Sequence, residues 1–163
     1  MAGCDTKFVA TGQTGMLIEG DGFAVDSVVS DFVGGRPSAR FWRPRTTRDG
    51  VEGQGSLANP RYSGVTMGLL HGCLPGRPGA CYEAGRTGIV GLEPMLLPPL
   101  EQVAQAFLSA ANLHHPCRFI GVAINGRLLS DEPPARKGVG AETLNCRLGT
   151  WCARASTALS ARR

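Results

Sequence analysis

Residues 7–15 read Lys-Phe-Val-Ala-Thr-Gly-Gln-Thr-Gly, a short apolar run that passes directly into a glycine-rich segment. This pattern predicts a buried strand that ends in a loop. The loop carries two hydroxyls, an amide and exposed backbone N–H groups, which together suit a carboxylate or a phosphate. An ordinary connection between a strand and a turn is the alternative. The candidate binding residues here are Thr11, Gly12, Gln13, Thr14 and Gly15.

A second glycine-rich segment, residues 50–57, places an acid beside a tight turn. A carboxylate at a strand end can hold a magnesium ion or a water molecule, and flanking glycines let backbone N–H groups approach a phosphate. Glu52 is therefore a candidate magnesium ligand, and Gly53, Gln54 and Gly55 are candidate phosphate-binding residues. A plain turn that carries a solvated glutamate is the alternative.

The rest of the chain alternates between helical and extended patterns. Helices are predicted over residues 24–33, from a Ser63 cap to residue 72, and from residue 100 to about residues 114–116, where His114 and His115 mark the helix end. Residues 34–49 predict a loop, and residues 118–125 a buried strand. Strands that alternate with helices indicate an α/β fold. We expect a mostly parallel sheet with flanking helices and with ligands at the carboxyl ends of its strands.

Other ionisable residues allow two interpretations each. Glu83 and Arg86 lie three residues apart and predict either a surface ion pair or an anion-binding site. His71 suits proton transfer or a hydrogen bond to a carbonyl of the last helical turn. Asp26 and Asp31 are interpreted as solvated helix positions rather than catalytic acids.

Composition argues against several classes of function. The net charge is +4, but Lys7 and Lys137 are the only lysines and the arginines are scattered, so no basic stripe predicts nucleic-acid binding. No apolar run approaches the ~18 residues of a membrane helix, and the N-terminus resembles no leader, which predicts a cytoplasmic protein without a membrane partner. The six cysteines have no C-x-x-C spacing and predict reduced, mostly buried thiols.

Five motifs in order resemble the D-glutamate N-acetyltransferase family, a bacterial family first catalogued as a domain of unknown function. They read FVATGQTG at 8–15, VDxVVxDF at 25–32, VEGQGSLxxP at 51–60, GVTxGLLHG at 64–72 and ExGRT at 83–87. The resemblance covers about residues 5–130. It implies a P-loop NTPase-like fold similar to dethiobiotin synthetase, with residues 1–130 a partial C-terminal domain and residues 131–163 an irregular tail.

The chain also departs from the family pattern. It contains no G-x-x-x-x-G-K-[ST] segment, the Walker A loop that grips nucleotide phosphates. We therefore expect a C-terminal fragment, with the P-loop and an N-terminal domain upstream of Met1. Residues 75–80 hold two prolines where the family has a hydrophobic strand, so we expect no buried strand there. A pair of compensating frameshifts would account for this segment, and a separate shift of the reading frame by one base would account for residues 150–163.

The resemblance implies acetyl transfer from acetyl-CoA to the amine of D-glutamate, in D-amino-acid catabolism. By this resemblance Glu52 holds a metal or a water, and Thr11, Gln13 and Thr14 line the substrate pocket. The amine must lose a proton before it attacks, so a base is required, and the matched motifs offer Glu52, His71 and Glu83. Arg86 and the turns at 11–15 and 52–56 would bind substrate carboxylates or CoA phosphates.

Two alternatives stay open. One is a ligase of the dethiobiotin-synthetase type that uses ATP and magnesium, and the other is an inactive remnant or a subunit that works with a separately encoded N-terminal half. A homo-oligomer is a further candidate assembly. The enzymatic interpretations share one prediction, that the turns beginning at Thr11 and Glu52 lie side by side at one sheet edge and share an anionic ligand.

Overall fold

The computed structural model describes residues 6–35, 48–125, 128 and 147–149. The chain divides into two compact units, with the boundary between Leu74 and Pro75. Three of the strand pairs in the described residues are parallel and one is antiparallel, which confirms the expected α/β class with mostly parallel pairing. Within the described ranges, none of the helices has the length and apolar character that a membrane crossing requires.

The first unit is built on two parallel strands, β1 (Thr6–Val9) and β2 (Arg48–Val51). They pair from Thr6 opposite Arg48 to Val9 opposite Val51, so their carboxyl ends lie at the same edge. The helical elements of this unit are α1 (Gln13–Glu19), a 3₁₀ turn (Val25–Ser27), α2 (Ser30–Val33) and α3 (Ser63–Cys73).

A small apolar core joins these elements. Its buried members are Val9, Phe23, Val25, Val33 and Leu69. Val9 comes from β1, Phe23 and Val25 from the segment between α1 and α2, Val33 from α2 and Leu69 from α3. Full burial of an apolar side chain of this size contributes about 1.5–3 kcal/mol. The core therefore fixes the helices against β1 and supports the edge at which both strands end.

Glycines let α2 and α3 approach closely. Gly68 and Gly72 are four residues apart, so they share one face of α3. A Cβ at Gly68 would lie 2.7 Å from Val33 Cγ1, and one at Gly72 would lie 2.7 Å from the Cα of Gly34. The atoms nearest to a Cβ at Gly72 belong to the backbone of Gly34, which cannot change rotamer as a side chain can.

The second unit contains the parallel strands β3 (Gly79–Glu83), β6 (Gly121–Asn125) and β7 (Arg147–Gly149), in the order β3-β6-β7. An antiparallel hairpin of β4 (Gly88–Ile89) and β5 (Leu92–Leu96) precedes α4 (Leu100–Ala111). Ala84, Val122 and Ile124 form the buried core of this unit, and Leu100, the first residue of α4, packs against it.

Three predictions about the first unit are corrected. Residues 24–33 do not form one helix, because Val25 N–H donates to Thr11 O (2.9 Å) and the chain is extended at Val28 before α2 begins. The segment after β1 turns into helix α1 at Gln13. Tyr62, rather than Ser63, is the N-cap residue of α3, and its side chain makes no capping hydrogen bond.

The predicted loop at residues 34–49 is also wrong at its end, since Arg48 and Asp49 belong to β2. Residues 36–47 lie outside the described residues.

The last two residues of the 75–80 segment join a strand, but neither is buried, since Gly79 is exposed and Ala80 is half-buried. The prediction that no buried strand forms there is therefore not contradicted. Gly79 begins β3, and the carbonyls of Gly76 and Pro78 accept hydrogen bonds from Arg118 N–H (3.2 Å) and Ile120 N–H (3.0 Å). A proline lacks an N–H donor but keeps its carbonyl, and β3 is an edge strand of the described sheet. The prolines are therefore compatible with pairing on this side.

The predicted strand at 118–125 and the helix after residues 98–99 are both confirmed, with shifted bounds. The helix α4 ends at Ala111 rather than at the histidines, because Asn112 closes it. The side-chain amide of Asn112 donates to Leu108 O (2.8 Å), and its Oδ1 accepts from Cys117 N–H (2.8 Å).

Gly72→Ala should destabilise the chain by about 2 kcal/mol, because the added methyl would overlap the backbone of Gly34. Gly64→Ala is the matched control on the same helix. A Cβ there meets no atom within 4 Å, and alanine favours a helix over glycine by about 1 kcal/mol. Urea unfolding followed by circular dichroism measures both. Equal stability of the two variants would contradict this packing.

Candidate functional site

Glu52 follows β2 directly and joins the two turns at the carboxyl ends of β1 and β2. Its N–H donates to Val9 O (3.0 Å), which extends the pairing of the strands. Its carboxylate then turns toward the neighbouring segment, where Oε2 accepts hydrogen bonds from Thr11 N–H (2.9 Å) and Gly12 N–H (3.0 Å). The alternative of a solvated glutamate on a plain turn is therefore wrong, since Glu52 is half-buried and bonded.

Thr11 completes the connection from the other side. Its side chain is fully buried, and its Oγ1 donates to Glu52 O (2.8 Å). Three hydrogen bonds thus link segments that are about 40 residues apart in sequence. The expected placement of the two turns side by side is confirmed. That they share an anionic ligand stays a prediction.

Gly12 and Gly15 give Glu52 and Gln54 room to approach. A Cβ at Gly12 would lie 2.5 Å from Gln54 Nε2, and a Cβ at Gly15 would lie 2.5 Å from Glu52 Oε2. Real side chains do not approach a Cβ so closely. A Cβ at Gly15 would overlap a carboxylate that two hydrogen bonds hold in place, whereas one at Gly12 would meet the end of the flexible Gln54 side chain. Gly15 is thus required by the protein's own side chains, although the sequence analysis selects both glycines as candidate binding residues.

The second turn is fixed to the start of α3. Gly55 has φ +74°, in the left-handed region that favours glycine, and a Cβ there would lie 2.6 Å from Tyr62 O. Thr66 Oγ1 donates to Gln54 O (3.0 Å). The sequence analysis did not select Thr66. Its place in the first turn of the helix that follows the glycine-rich segment is the signal that could have identified it.

The polar side chains at the start of α1 are exposed. Gln13 and Thr14 lie in its first turn, and Gln13 Nε2 donates to Asp26 Oδ2 (3.3 Å), which is also exposed. Gly53 in the neighbouring turn is exposed as well. A ligand at this edge would therefore meet these three residues, Gln13, Thr14 and Gly53, before it met Glu52.

The three predicted acid–base residues do not occupy one turn. His71 is half-buried in the last turn of α3, five residues beyond Thr66, which corresponds to about 7.5 Å along the helix axis. Glu83 belongs to the second unit. Of the predicted set, the structure brings together Thr11, Gly12, Gly15, Glu52 and Gln54.

Glu83 ends β3 and forms an ion pair with Arg86 across a turn in which Gly85 has φ +83°. The side chains are 11% and 34% exposed, so the pair is largely buried on the carboxylate side rather than lying on the surface. Glu83 also stands opposite Asn125, the last residue of β6, and Ala84 N–H donates to Asn125 O (3.0 Å). Glu83 and Arg86 do form an ion pair, but the surface position that this interpretation gave the pair is wrong.

The described cysteines are free thiols, as the sequence predicted. Cys81 is exposed, while Cys73 and Cys117 are half-buried, so burial is less complete than expected. Burial raises the pKa of the Cys73 thiol to about 12 and also raises the pKa of Cys117. Three or more His, Cys, Asp or Glu side chains do not converge on a metal position anywhere in the ranges that the structure describes.

Thr11→Val should cost about 1–2 kcal/mol of stability, because it keeps the shape of the buried side chain but removes the hydroxyl that donates to Glu52 O. Thr14→Val, an exposed threonine three residues on, should change stability by less than about 0.5 kcal/mol. Chemical unfolding of both variants is the measurement. A Thr11 variant as stable as its control would show that the hydroxyl does not hold the turns together.

Cys81 should react with iodoacetamide well before Cys73 at about pH 8, because the thiolate is the reactive form and the raised pKa keeps Cys73 protonated. The folded state favours the neutral Cys73 thiol. Its contribution to stability is therefore full below the ordinary value of 9.0 and is lost as pH rises toward 12. Peptide mass spectrometry after timed alkylation measures the rates, with a urea-unfolded sample as the control. Equal rates in the folded chain would contradict the burial.

Comparison with known proteins yields one family and several relatives. The family model described as "Domain of unknown function (DUF1611_C) P-loop domain" matches residues 1–157. A D-glutamate N-acetyltransferase of Tritonibacter scottomollicae is 40% identical over 134 residues, which is 80% of this chain and 40% of the relative. A D-glutamate N-acetyltransferase of a Pseudoalteromonas species is 38% identical over 130 residues, 78% of this chain and 39% of the relative.

A solved structure is similar as well. The crystal structure of a DUF1611 family protein from Anabaena variabilis superimposes with a TM-score of 0.70 at 31% sequence identity, over 79% of this chain and 39% of that protein. The chain spans about two fifths of the length of the relatives that it matches.

Proposed function

Since the chain belongs to the DUF1611_C P-loop domain family, we propose that it forms part of an enzyme that transfers an acetyl group from acetyl-CoA to the amine of D-glutamate. The names of the two relatives at 38–40% identity support the reaction. The observation that carries the site is the set of hydrogen bonds between Glu52 and the Thr11–Gly12 turn, which holds two polar turns at one edge of parallel strands.

The reaction itself is an exchange of bonds at one carbonyl carbon. The neutral amine of D-glutamate attacks the thioester carbonyl, a C–N bond forms, the C–S bond breaks, and CoA leaves as a thiolate. The amine nitrogen gives up a proton, and the thiolate takes up one. A base that receives the first proton and returns it to sulfur satisfies both needs.

We assign the base to Glu52. Two N–H donors fix Oε2, so the carboxylate has a defined orientation, and Oε1 is the oxygen that would take the proton. Glu83 is the weaker candidate because its carboxylate is already paired with Arg86. His71 would have to act from the last turn of α3.

The ligand contacts follow from the same hydrogen bonds. Thr11 and Gly12 N–H groups already bind the Glu52 carboxylate, so they are not the donors that meet a substrate. Substrate carboxylates or CoA phosphates would instead meet the exposed side chains of Gln13 and Thr14 and the backbone at Gly53.

A ligase that uses ATP and magnesium is the second candidate, which the family's description as a P-loop domain favours. The edge offers the Glu52 carboxylate, and Mg²⁺ commonly binds one or two carboxylates together with waters and phosphates. Glu52 therefore fits as a magnesium ligand. The ion would neutralise phosphate charge when bound.

A chimera tests the proposed function. The aligned segment of the Tritonibacter scottomollicae enzyme is replaced by the matching residues of this chain, and N-acetyl-D-glutamate is measured by mass spectrometry. We expect turnover with acetyl-CoA in the absence of ATP. Glu52→Gln should lower kcat by at least about 100-fold, the range in which general bases contribute, whereas Glu19→Gln, an exposed control on α1, should not.

Each result has a distinct meaning. A chimera that unfolds cooperatively but acetylates no D-glutamate contradicts the proposed function. Normal turnover in the Glu52 variant removes this residue from the chemistry but leaves the reaction in place. Conversion that requires ATP supports the ligase.

A further inference from the structure

The side-chain amide of Gln54 lies beside the second oxygen of the Glu52 carboxylate. A Cβ at Gly12 would lie 2.5 Å from Gln54 Nε2 and 3.7 Å from Glu52 Oε1, so both atoms border the same small space next to Gly12. The other carboxylate oxygen, Oε2, already accepts hydrogen bonds from Thr11 N–H and Gly12 N–H. The edge therefore presents a carboxylate oxygen and an amide donor as neighbours.

The Gln54 amide is free to bind a ligand. The side chain is half-buried, yet its nitrogen makes no hydrogen bond with any of the described residues. Nε2 is not sealed from solvent, so a ligand atom can reach it. The Glu52 oxygen on the same side favours the nitrogen end of the amide over the oxygen end, because two oxygens would repel each other.

The backbone of Gln54 is held in place next to Gly12. Thr66 Oγ1 donates to Gln54 O (3.0 Å), and the following residue, Gly55, has the φ of +74° that closes the turn. The side chain therefore starts from a fixed point, and Gly12 has no Cβ in the space that the amide occupies. The turn brings the amide to the carboxylate without using its N–H groups.

Attack of an amine on a thioester needs two protein groups around one carbon atom. As the C–N bond forms, an electron pair of the carbonyl moves to its oxygen, which becomes negative, and the amine gives up a proton. A base that binds the amine and a donor that binds the oxygen must then lie within roughly 7 Å of each other, since each hydrogen bond is about 3 Å long. Glu52 Oε1 and Gln54 Nε2 meet this limit, because both lie within 4 Å of the same Cβ position.

We propose that Gln54 is a catalytic residue whose side-chain amide donates a hydrogen bond to the thioester carbonyl oxygen as that oxygen gains negative charge. The assignment rests on the proposed function and adds to it the group that stabilises this charge, beside the base at Glu52. When the carbonyl re-forms, the C–S bond breaks and sulfur leaves as a thiolate. The amide keeps its protons throughout. Gly12 is then a glycine because a side chain there would displace the donor.

Gln54→Met in the chimera described above tests the assignment, because methionine has a similar length but donates no hydrogen bond. We expect kcat to fall by about 100- to 1,000-fold, the effect of removing one such donor, and KM for D-glutamate to change by less than about threefold. Gln105→Met, at an exposed glutamine of α4, is the matched control and should change neither constant. The rate of N-acetyl-D-glutamate formation, followed by mass spectrometry, gives both.

Gly12→Ala moves the same donor without removing it. The backbone at Gly12 is extended, with φ −122°, so alanine is compatible with it, but the methyl group would push the amide away. We expect kcat to fall by at least about tenfold, since the donor no longer reaches the oxygen. Parental turnover in this variant would contradict the placement of the amide at the reacting carbonyl.

Two results with Gln54→Met would overturn the assignment and leave the proposed function in place. One is an active chimera that keeps its parental kcat. The other is a lower kcat together with a shift of more than about half a unit in the midpoint of the pH–rate profile, which would make Gln54 a positioning residue that acts through Glu52. A lower kcat with an unchanged midpoint supports the assignment.

The parent chimera separates this assignment from the reaction itself. If it folds but forms no N-acetyl-D-glutamate, the proposed function is contradicted and the role of Gln54 falls with it. If it does not fold, residues 50–57 alone are exchanged into the Tritonibacter enzyme, and Gln54→Met is measured there with the same expected loss of kcat.

Discussion

The hydrogen bonds between the Glu52 carboxylate and the backbone of Thr11 and Gly12 are the constraint on which the first unit depends. A carboxylate that leaves water must be compensated by donors, and two N–H groups at 2.9 and 3.0 Å provide that compensation. The position of the Glu52 carboxylate also constrains the residues around it. Gly15 must lack a side chain, and Thr11 is buried with its hydroxyl bonded to the carbonyl of the same glutamate.

This arrangement changes how the glycine-rich edge is understood. A segment such as Thr-Gly-Gln-Thr-Gly is typically associated with binding an external anion, because its N–H groups are exposed. Here the anion for two of those groups is Glu52. The groups that face solvent are the side chains of Gln13 and Thr14 and the backbone at Gly53. The Glu52 carboxylate, held in one orientation, lies behind them.

The second unit combines a small buried core with several exposed apolar side chains. Its parallel strands pack Val122 and Ile124 against Leu100 of α4, and large apolar side chains of the unit, among them Leu96 and Leu113, are exposed. The segment before β3 contains two prolines but still pairs with the segment before β6. The carbonyls of Gly76 and Pro78 accept hydrogen bonds from Arg118 N–H and Ile120 N–H.

Local pattern by itself determined the α/β class, the helices α3 and α4, the strands that end near residue 10 and residue 125, and the position of Glu52 beside a tight turn, because these depend on apolar periodicity and glycine placement. It did not identify β2, whose first residues fall in the predicted loop. It could not determine that residues 24–33 break, since the hydrogen bond from Val25 to Thr11 is long-range. It also could not assign Gly12 to the approach of Gln54 or Gly15 to the approach of Glu52, nor select Thr66. Only the tertiary structure decides such contacts, because they join residues that sequence separates by tens of positions and that meet only when β1 and β2 pair.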